Sequence, residues 1–320
     1  GEIISEKSNG LEALMLKSAA HNPWFTLFHQ ELALQTFTEN FFDANKLNNW
    51  INHYPVAEKK QKNIGLIMAG NIPFVGMHDL LCVLMSGYVA QVKLSSKDAH
   101  FFPWMHSTLQ TISDVFNDRI LFTEQLKNFD AVIATGSNNA GRYFTYYFGK
   151  YPHIIRRNRT SVAVLTGDES DEELYALGKD VFYYYGLGCR NVGKIFLPEG
   201  YEPEKLFRIW EDYRYVIENN KYKNNYDYNR TLLLLNQTEH LANDFFMMVE
   251  SEELFSPLAT VHYAYYNTPE QLHTYFSKEA ENLQCIVANI PGNTPLGQSQ
   301  MPALDDYADK IDTMQFLTQL

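Results

Sequence analysis

The spacing of apolar positions changes near residue 60. In residues 1–60, apolar side chains such as Leu11 and Met15 recur every three or four positions, which predicts helices. Beyond this point, short apolar runs such as 63–69 and 88–94 alternate with longer segments of helical periodicity. Runs of this length are typical of buried strands. The alternation predicts an α/β protein with parallel sheets and crossover helices.

The elements that continue this alternation can be placed from their periodicity and from their Gly and Pro boundaries. Strands are predicted at 63–69, 88–94, 119–122, 131–134, 161–165, 194–197, 259–266 and 285–289, and helices at 75–85, 99–116, 141–148, 170–185, 203–217, 239–249 and 269–282. Ser170 and Glu173 form a capping box at the start of the fourth of these helices. The Asn- and Tyr-rich stretch 221–230 is predicted to be a polar loop.

The length and the order of elements predict two α/β domains. The chain has 320 residues, and a domain has roughly 150 residues on average. We expect N-terminal helices and a first domain in residues 1–159, a second domain in 160–290, and a C-terminal tail in 291–320.

Composition and charge argue against several classes of protein. The chain carries 26 Lys and Arg against 38 Asp and Glu, a net charge of -12, so its field repels nucleic acids and anionic membranes. The three cysteines are too scattered for a disulfide framework, and no pair of them has the spacing of a metal site. The apolar runs are shorter than the roughly 20 residues that span a bilayer. We expect a cytoplasmic protein with no membrane span, no metal and no nucleic-acid partner.

Cys189 is the strongest candidate for a reactive group. It lies between Gly188 and Arg190, after a predicted helix and before a predicted buried strand. A thiol reacts as the thiolate and needs a lowered pKa, which a short helix beginning at Cys189 would supply. The alternative is that Cys189 is inert packing, which is the interpretation we give to Cys82 and Cys285 within their apolar runs.

Two further turns follow predicted strands, where α/β proteins place binding groups. Asn71, in the turn 70–73, can donate a hydrogen bond from its side-chain amide to a developing oxyanion. Gly136 and Ser137 open a predicted helix, whose N-terminal N–H groups suit a phosphate. The structural alternatives are a simple turn before proline and a simple capped helix start.

A basic cluster stands out in this acidic chain. It consists of His153, Arg156, Arg157 and Arg159, and guanidinium groups match the geometry of phosphate oxygens. The cluster is therefore a candidate site for the phosphates of NADPH or of coenzyme A. The alternative is a solvated basic turn.

Five short motifs occur in the order that is typical of one enzyme superfamily. They are GNIP at 70–73, VKLSS at 92–96, ATGSNNAGR at 134–142, GLGCRN at 186–191 and EELFSPL at 252–258. In this order they resemble the aldehyde dehydrogenase superfamily, and within it the acyl-CoA reductases of the LuxC type. The resemblance covers the chain from about Ile64 onward. It implies an aldehyde-dehydrogenase-like α/β fold with a Rossmann-like cofactor domain and a second α/β catalytic domain.

The resemblance also implies a covalent mechanism. Cys189 matches the nucleophile that forms an acyl-enzyme thioester, and Asn71 with the Cys189 backbone N–H matches the oxyanion hole. Relatives that hydrolyse this thioester usually carry a water-activating glutamate between the Gly-Ser motif and the cysteine. The corresponding stretch here, 156–161 (RRNRTS), has no carboxylate. Without a base for water, the acyl-enzyme is expected to react with hydride or a thiol.

Cofactor contacts are implied by three of the motifs. Lys93 matches the lysine that contacts the adenosine ribose or its 2′-phosphate, and Ser137, beside Gly136, matches the residue that faces the diphosphate. Glu253 and Phe255 match the pair that positions the nicotinamide riboside. NADPH is the expected cofactor, favoured over NADH by Lys93 and the basic cluster, and coenzyme A is expected as part of the substrate.

The expected function is NADPH-dependent reduction of a fatty acyl-CoA, or of an acyl-protein thioester, to the aldehyde. Aromatic residues 183–185, Phe245 and Phe246 are candidates for an acyl channel, although such residues more often form a core. The alternatives are a short-chain CoA- or phosphate-dependent (semi)aldehyde dehydrogenase and a catalytically idle subunit that binds an acyl group or a partner. The resemblance also allows an acyl-transferring partner enzyme and a homo-oligomer.

Overall fold

The computed structural model of the protein describes residues 9–54 and 61–320. The chain divides into two compact units, the first within Gly1–Asn158 and Pro302–Leu320 and the second Arg159–Met301. It enters the second unit at Arg159 and returns to the first at Pro302. Of the expected C-terminal tail, residues 291–301 belong to the second unit and residues 302–320 to the first.

The first unit begins with helices and continues with alternating strands and helices. The helices are α1 (Asn9–His21), α2 (Leu27–Thr36), a π-helical turn (Phe37–Phe41) and α3 (Ala44–Ile51). Residues 1–8 and 55–60 of the predicted helical region lie outside the described residues. The alternating part comprises β1 (Asn63–Ile67), α4 (Met77–Met85), β2 (Val89–Lys93), α5 (Phe101–Ile112), a 3₁₀ turn (Asp114–Phe116), β3 (Ile120–Phe122), β4 (Ala131–Thr135), α6 (Asn138–Phe148) and β5 (His153–Arg156).

The second unit repeats the alternation. It contains β6 (Thr160–Val164), α7 (Asp171–Phe182), a 3₁₀ turn (Tyr183–Gly186), β7 (Val192–Pro198), α8 (Glu204–Ile209), a 3₁₀ segment (Glu211–Glu218), α9 (Asn220–Leu235), β8 (Leu241–Ala242), β9 (Met247–Glu250), β10 (Thr260–Tyr266), α10 (Pro269–Lys278) and β11 (Leu283–Val287). A 3₁₀ turn (Ala308–Lys310) and α11 (Thr313–Thr318) follow in the first unit. Within the described ranges, no helix has the length and apolar character needed to cross a membrane.

The sheet of the first unit has five strands in the order β3-β2-β1-β4-β5, and all of its pairs are parallel. The strand order reverses between β1 and β4, which is the Rossmann-like arrangement. In such a sheet the carboxyl ends of β1 and β4 flank the crevice where ligands bind.

The sheet of the second unit has six strands in the order β11-β6-β7-β10-β9-β8. Its pairs are parallel except for β8 and β9. Every residue of β6 is buried, as expected for a strand in a parallel sheet that is covered on both faces. The predicted capping box at Ser170 and Glu173 starts α7, which leads toward the candidate cysteine.

The predicted polar loop at 221–230 is wrong, because these residues lie in helix α9. The Asn219 side chain caps this helix by accepting hydrogen bonds from two N–H groups of the first turn. Tyr222, Tyr226 and Asn229 recur with helical spacing and are buried. The buried face is therefore built from two tyrosines and an asparagine, in a stretch that is rich in Asn and Lys.

The predicted helix at 239–249 is also wrong. In this stretch β8 and β9 form an antiparallel hairpin. The Asn243 side chain accepts hydrogen bonds from the N–H groups of Phe245 and Phe246, each at 3.0 Å. Such a turn competes with a helix for the same backbone groups, and here it directs the chain into the edge of the sheet.

Helix α7 packs closely against the 3₁₀ segment that contains Tyr213. A Cβ atom at Gly178 would lie 2.2 Å from the Tyr213 ring. The ring is held in place, because its hydroxyl donates to the Tyr175 carbonyl oxygen at 2.8 Å and its face stacks on Phe182 at 5.2 Å between centroids. Glycine at 178 therefore allows the helix and this segment to approach.

We expect Gly178→Ala to lower the free energy of unfolding by roughly 1–3 kcal/mol, because the added methyl group overpacks this contact. The matched control is Gly10→Ala in α1, where a Cβ atom would meet nothing within 4 Å and Ala has the higher helix propensity. Urea denaturation, monitored by circular dichroism, measures the free energy of unfolding of both variants. Unchanged stability of Gly178→Ala would show that the Tyr213 ring can move aside.

Candidate active site

The segment 186–191, which we name the thiol turn, joins α7 to β7 and contains Cys189. The chain leaves α7 through Tyr184, Tyr185 and Gly186, whose φ angles are 53°, 58° and 75°. Left-handed backbone costs a bulky residue on the order of 1–3 kcal/mol. Both tyrosines are only 5% exposed, so burial of their rings offsets this cost.

Asn191 fastens the thiol turn to the end of α7. Its Nδ2 donates to the carbonyl oxygens of Asp180, Val181 and Tyr183 at 3.0, 3.3 and 2.8 Å. Its Oδ1 accepts the Gly188 N–H at 2.8 Å. The last carbonyl groups of a helix have no partners within the helix. One buried amide therefore satisfies the end of α7 and sets the position of the turn.

The backbone of Cys189 is held from a second side by Ser161 on β6. Ser161 Oγ donates to the Cys189 carbonyl oxygen at 3.0 Å and also contacts the Cys285 sulfur at 3.0 Å. Cys189 itself is half-buried. Cys189 does not start a helix that could lower its pKa, because it lies in a turn that the Asn191 N–H closes onto the Gly188 oxygen at 3.1 Å.

A cavity of about 80 Å³ lies beside the thiol turn. Its lining includes Gly186 and Asn191 from the thiol turn, Tyr185 and Phe246, and residues 256–258 of the EELFSPL motif. Phe245 is not part of this lining, and its ring lies 5.7 Å from that of Phe182. Two of the candidate aromatic residues therefore line a cavity, and Phe245 packs in the core.

The EELFSPL motif approaches Gly193, near the start of β7 and two residues after the thiol turn. A Cβ atom at Gly193 would lie 3.1 Å from Ser256 Oγ. Glu253 and Phe255 are exposed, Phe255 by 42%, whereas Leu254 between them is buried. The second unit thus brings residues 256–258 of this motif and the thiol turn to one cavity, and the buried Leu254 anchors the motif.

Three expected site residues of the first unit lie at the carboxyl edge of its sheet. Lys93 is the last residue of β2, Asn71 lies in the turn after β1, and Ser137 follows β4. All three side chains are exposed. Because the strands are parallel, their carboxyl ends lie at one edge, beside the point where the strand order reverses.

The turn that carries Asn71 packs against the loop after β2. A Cβ atom at Gly70 would lie 2.6 Å from Ser95 Oγ. From the same loop, Asp98 accepts the N–H of Phe74 at 2.8 Å, at a residue whose φ is 59°. The Oδ1 atom of Asp98 is buried and has no partner among the described residues. Burial raises the pKa of Asp98 to about 7, and the Phe74 N–H lowers it in part.

Gly136 and Ser137 form the start of α6. Ser137 Oγ accepts the Ala140 N–H at 3.3 Å, and a Cβ atom at Gly136 would lie 2.9 Å from Ala140 Cβ and from the Phe144 ring. The remaining N–H groups of this first turn and the Lys93 ammonium are the donors that a diphosphate prefers. The residues present in the first unit therefore fit a dinucleotide.

The expected phosphate site at the basic cluster is wrong for Arg156, and Arg159 is half-buried. Arg156 is 3% exposed, forms an ion pair with Asp79 at 2.7 Å and donates to Thr313 Oγ1 at 2.8 Å. Arg159 donates to the Leu283 carbonyl oxygen at 3.1 Å. Burial and the ion pair with Asp79 explain why the Arg156 guanidinium is not available to a phosphate.

The two other members, His153 and Arg157, are exposed. Arg157 lies along α6, where a Cβ atom at Gly141 would be 3.2 Å from its Cγ. The expectation of NADPH over NADH therefore rests on Lys93 and Arg157, whose side chains are both exposed.

No protein-family model matches the sequence. No curated protein matches it either. The fold, in contrast, is similar to solved structures. Against an NAD+ complex of an aldehyde dehydrogenase from Mycobacterium tuberculosis, the TM-score is 0.60 at 12% identity, covering 93% of this chain and 73% of that chain. Against glyceraldehyde-3-phosphate dehydrogenase GapN from Methanocaldococcus jannaschii complexed with NADP, it is 0.60 at 15% identity, covering 91% and 74%.

A third similar structure covers nearly the whole chain. It is aldehyde dehydrogenase 21 from Physcomitrella patens in complex with the reaction product succinate, with a TM-score of 0.61 at 12% identity, covering 99% of this chain and 82% of that chain. The chain has the aldehyde dehydrogenase fold. The predicted fold class is thereby confirmed, with a Rossmann-like first unit and a second α/β unit.

The structural roles of three residues near the expected site residues of this fold are not evident from the motifs alone. Asn191 belongs to the GLGCRN motif, and an amide directly before a buried strand is a signal that could have suggested a turn-fastening role. Ser161 and Asp98 stand in stretches of ordinary composition. Their roles follow from contacts with residues distant in sequence, which local pattern does not contain.

We expect Asn191→Ala to lower the free energy of unfolding by about 2–4 kcal/mol, because several buried backbone groups lose their partner. Iodoacetamide should alkylate Cys189 faster in this variant, because the thiol turn is less restrained. Mass spectrometry of the Cys189 peptide measures the rate. Asn224→Ala, at an exposed position of α9, is the matched control. Equal behaviour of the two variants would show that the turn does not depend on the Asn191 amide.

Asp98 should give the stability a specific pH dependence. Its pKa is about 7 in the folded protein against 3.8 as the ordinary value, so the folded state binds more protons between these values and stability falls as pH rises through them. Asp98→Asn keeps an acceptor for the Phe74 N–H and removes the charge. The free energy of unfolding of Asp98→Asn, relative to that of the wild type, should therefore rise by roughly 2–3 kcal/mol between pH 5 and pH 8.

Urea titrations at the two pH values measure this difference, with Asp212→Asn at an exposed position as the control. A difference between Asp98→Asn and the wild type that is the same at both pH values would contradict the expectation.

Proposed function

We propose that the protein is an oxidoreductase that reduces an acyl thioester to an aldehyde through a covalent intermediate on Cys189. The observation that carries the proposal is the thiol turn, in which Ser161 and Asn191 hold the backbone of a half-buried cysteine from two sides. A nucleophile is most effective when it is held in one orientation.

The first step transfers the acyl group to sulfur. The Cys189 thiolate attacks the carbonyl carbon of an acyl-CoA, the bond between this carbon and the CoA sulfur breaks, and CoA leaves as a thiolate that takes up a proton. The resemblance implies the N–H of Cys189 and the side-chain amide of Asn71 as the two donors for the oxyanion. One thioester replaces another, so this step is close to isoenergetic.

A nicotinamide cofactor, when bound, supplies the hydride that reduces the acyl carbon. Lys93 and the first turn of α6 after Ser137 would hold its adenosine ribose and diphosphate, and Glu253 and Phe255 its nicotinamide riboside. Two of the similar structures are complexes with NAD+ and with NADP, which supports a cofactor of this class. Cys189 then departs as a thiolate, so thioester, reduced cofactor and one proton give aldehyde, CoA and oxidised cofactor.

The lack of an available carboxylate close to the thiol turn in sequence supports reduction over hydrolysis. The stretch 156–161 has no acidic residue. Asp180, near the end of α7, accepts hydrogen bonds from the Gly297 N–H at 2.6 Å and from the Ser299 N–H and Oγ at 2.9 and 2.7 Å. Burial raises the pKa of Asp180 to about 6, but both of its oxygens already serve the fold. These groups do not supply a base for water.

The second candidate function is a CoA- or phosphate-dependent dehydrogenase of a small aldehyde. It would use the same acyl group on Cys189 in the opposite direction. The cavity beside the thiol turn favours it in one respect, since about 80 Å³ holds only a few water-sized groups. Substrate chain length therefore separates the two candidates.

Intact mass spectrometry after incubation with an acyl-CoA, in the absence of nicotinamide cofactor, tests the proposal. We expect one added acyl group on the wild type and none on Cys189→Ala, because the thioester forms on this sulfur. Cys82→Ala and Cys285→Ala are the matched controls and should keep the adduct. Butyryl-, octanoyl- and myristoyl-CoA in parallel define the preferred chain.

The next measurement is the oxidation of NADPH and of NADH by the acylated protein. Aldehyde formation with consumption of either cofactor supports the reductase. An adduct that is lost in Cys285→Ala but retained in Cys189→Ala would contradict it, as would the absence of any adduct with all three acyl-CoAs.

A further inference from the structure

Three consecutive carbonyl oxygens at the start of the EELFSPL region are each bound by a side chain of the second unit. The Ser251 oxygen accepts a hydrogen bond from Lys194 Nζ at 2.8 Å. The next carbonyl oxygen accepts one from Tyr275 Oη at 3.4 Å. The Glu253 oxygen lies 3.0 Å from His262 Nδ1. We name these three side chains the carbonyl clamp.

Lys194 is the central member of the carbonyl clamp. Its residue is fully buried in β7, and a buried ammonium is costly unless polar groups surround it. The ammonium lies 5.2 and 4.9 Å from the ring centroids of Phe196 and Tyr275, so it is stabilised by aromatic faces as well as by the Ser251 oxygen. Desolvation lowers the pKa of Lys194, and the charges of Glu252 and Glu279 raise it in part.

The carbonyl clamp is built on the core of the second unit. Lys194 on β7 and His262 on β10 are opposite each other in the parallel pairing of these strands. Tyr275 comes from α10, and its ring lies 4.9 Å from that of Phe196 on β7. Two central strands and one helix therefore fix the three donors, and side chains on such elements are placed more precisely than those on loops.

The backbone that the clamp holds is further restrained. The Ser251 N–H donates to the Tyr263 oxygen at 3.0 Å, and the Glu253 N–H donates to Ser251 Oγ at 3.1 Å. Leu254 is buried. The side chains of Glu253 and Phe255 nevertheless remain exposed. A rigid backbone that presents exposed side chains suits a binding element.

We propose that Lys194 is a positioning residue for the nicotinamide cofactor, which acts with His262 by fixing the 251–255 backbone so that Glu253 and Phe255 meet the nicotinamide riboside. The inference rests on the proposed function in one respect, the assignment of these two residues to the cofactor. A purely structural lysine would stabilise the second unit and leave cofactor affinity unchanged.

Lys194→Met tests the inference, because it keeps an apolar stem and removes the ammonium. Fluorescence titration of NADPH and of NADH should show an about tenfold weaker Kd, because the 251–255 backbone is no longer fixed in the conformation that binds the cofactor. The rate of acyl adduct formation on Cys189 without cofactor should change less than about threefold. Lys194→Arg should recover most of the cofactor affinity, and Lys278→Met, at an exposed position of α10, is the matched control.

Hydrogen exchange of residues 251–255 reports the clamp directly and should become faster in Lys194→Met. Faster exchange with unchanged Kd for the cofactor would overturn the inference while leaving the proposed function intact. A wild type that binds neither NADPH nor NADH would contradict the proposed function together with it. If Lys194→Met does not fold, His262→Ala replaces it, and an unchanged cofactor Kd in that folded variant overturns the inference.

Discussion

The end of helix α7 is the constraint on which the candidate site depends. A helix that stops inside a protein leaves carbonyl groups without partners, and here the amide of Asn191 binds two of them, together with the oxygen of Tyr183 just beyond the helix. The same amide holds the N–H of Gly188, so the cysteine lies where the helix ends. The left-handed backbone of Tyr184 and Tyr185 then follows from the direction that the chain must take to reach β7.

Buried ionisable groups around the motifs mainly bind the backbone. Asp98 accepts the N–H of Phe74, Asp180 accepts two N–H groups of the segment 297–299, and Lys194 donates to a carbonyl oxygen. Each fixes a loop that continues from the sheet. A perturbed pKa in this protein therefore marks a residue that supports the site, and does not by itself mark a residue that reacts.

The sequence contains enough to predict the α/β class, the parallel sheets and the place of the thiol turn. Apolar runs with Gly and Pro boundaries mark buried strands clearly, and the capping box at Ser170 marks the start of α7. Helix α9 is not predicted from the sequence, because Tyr222 and Tyr226 form much of its buried face within an Asn-rich stretch. The roles of Arg156 and Lys194 cannot be predicted from the sequence for another reason. Their partners Asp79 and Ser251 are distant in sequence, so charge pattern alone indicates a solvated surface.

The path of the chain has a consequence for its synthesis. Residues 159–301 are continuous and can fold as soon as they have emerged, whereas the first unit lacks residues 302–320 until later. Until then, Trp50 has no Tyr307 hydroxyl to donate to, and Arg156 has no Thr313. At typical elongation rates this interval is roughly ten seconds or more. The part of the protein that is made first is therefore completed last.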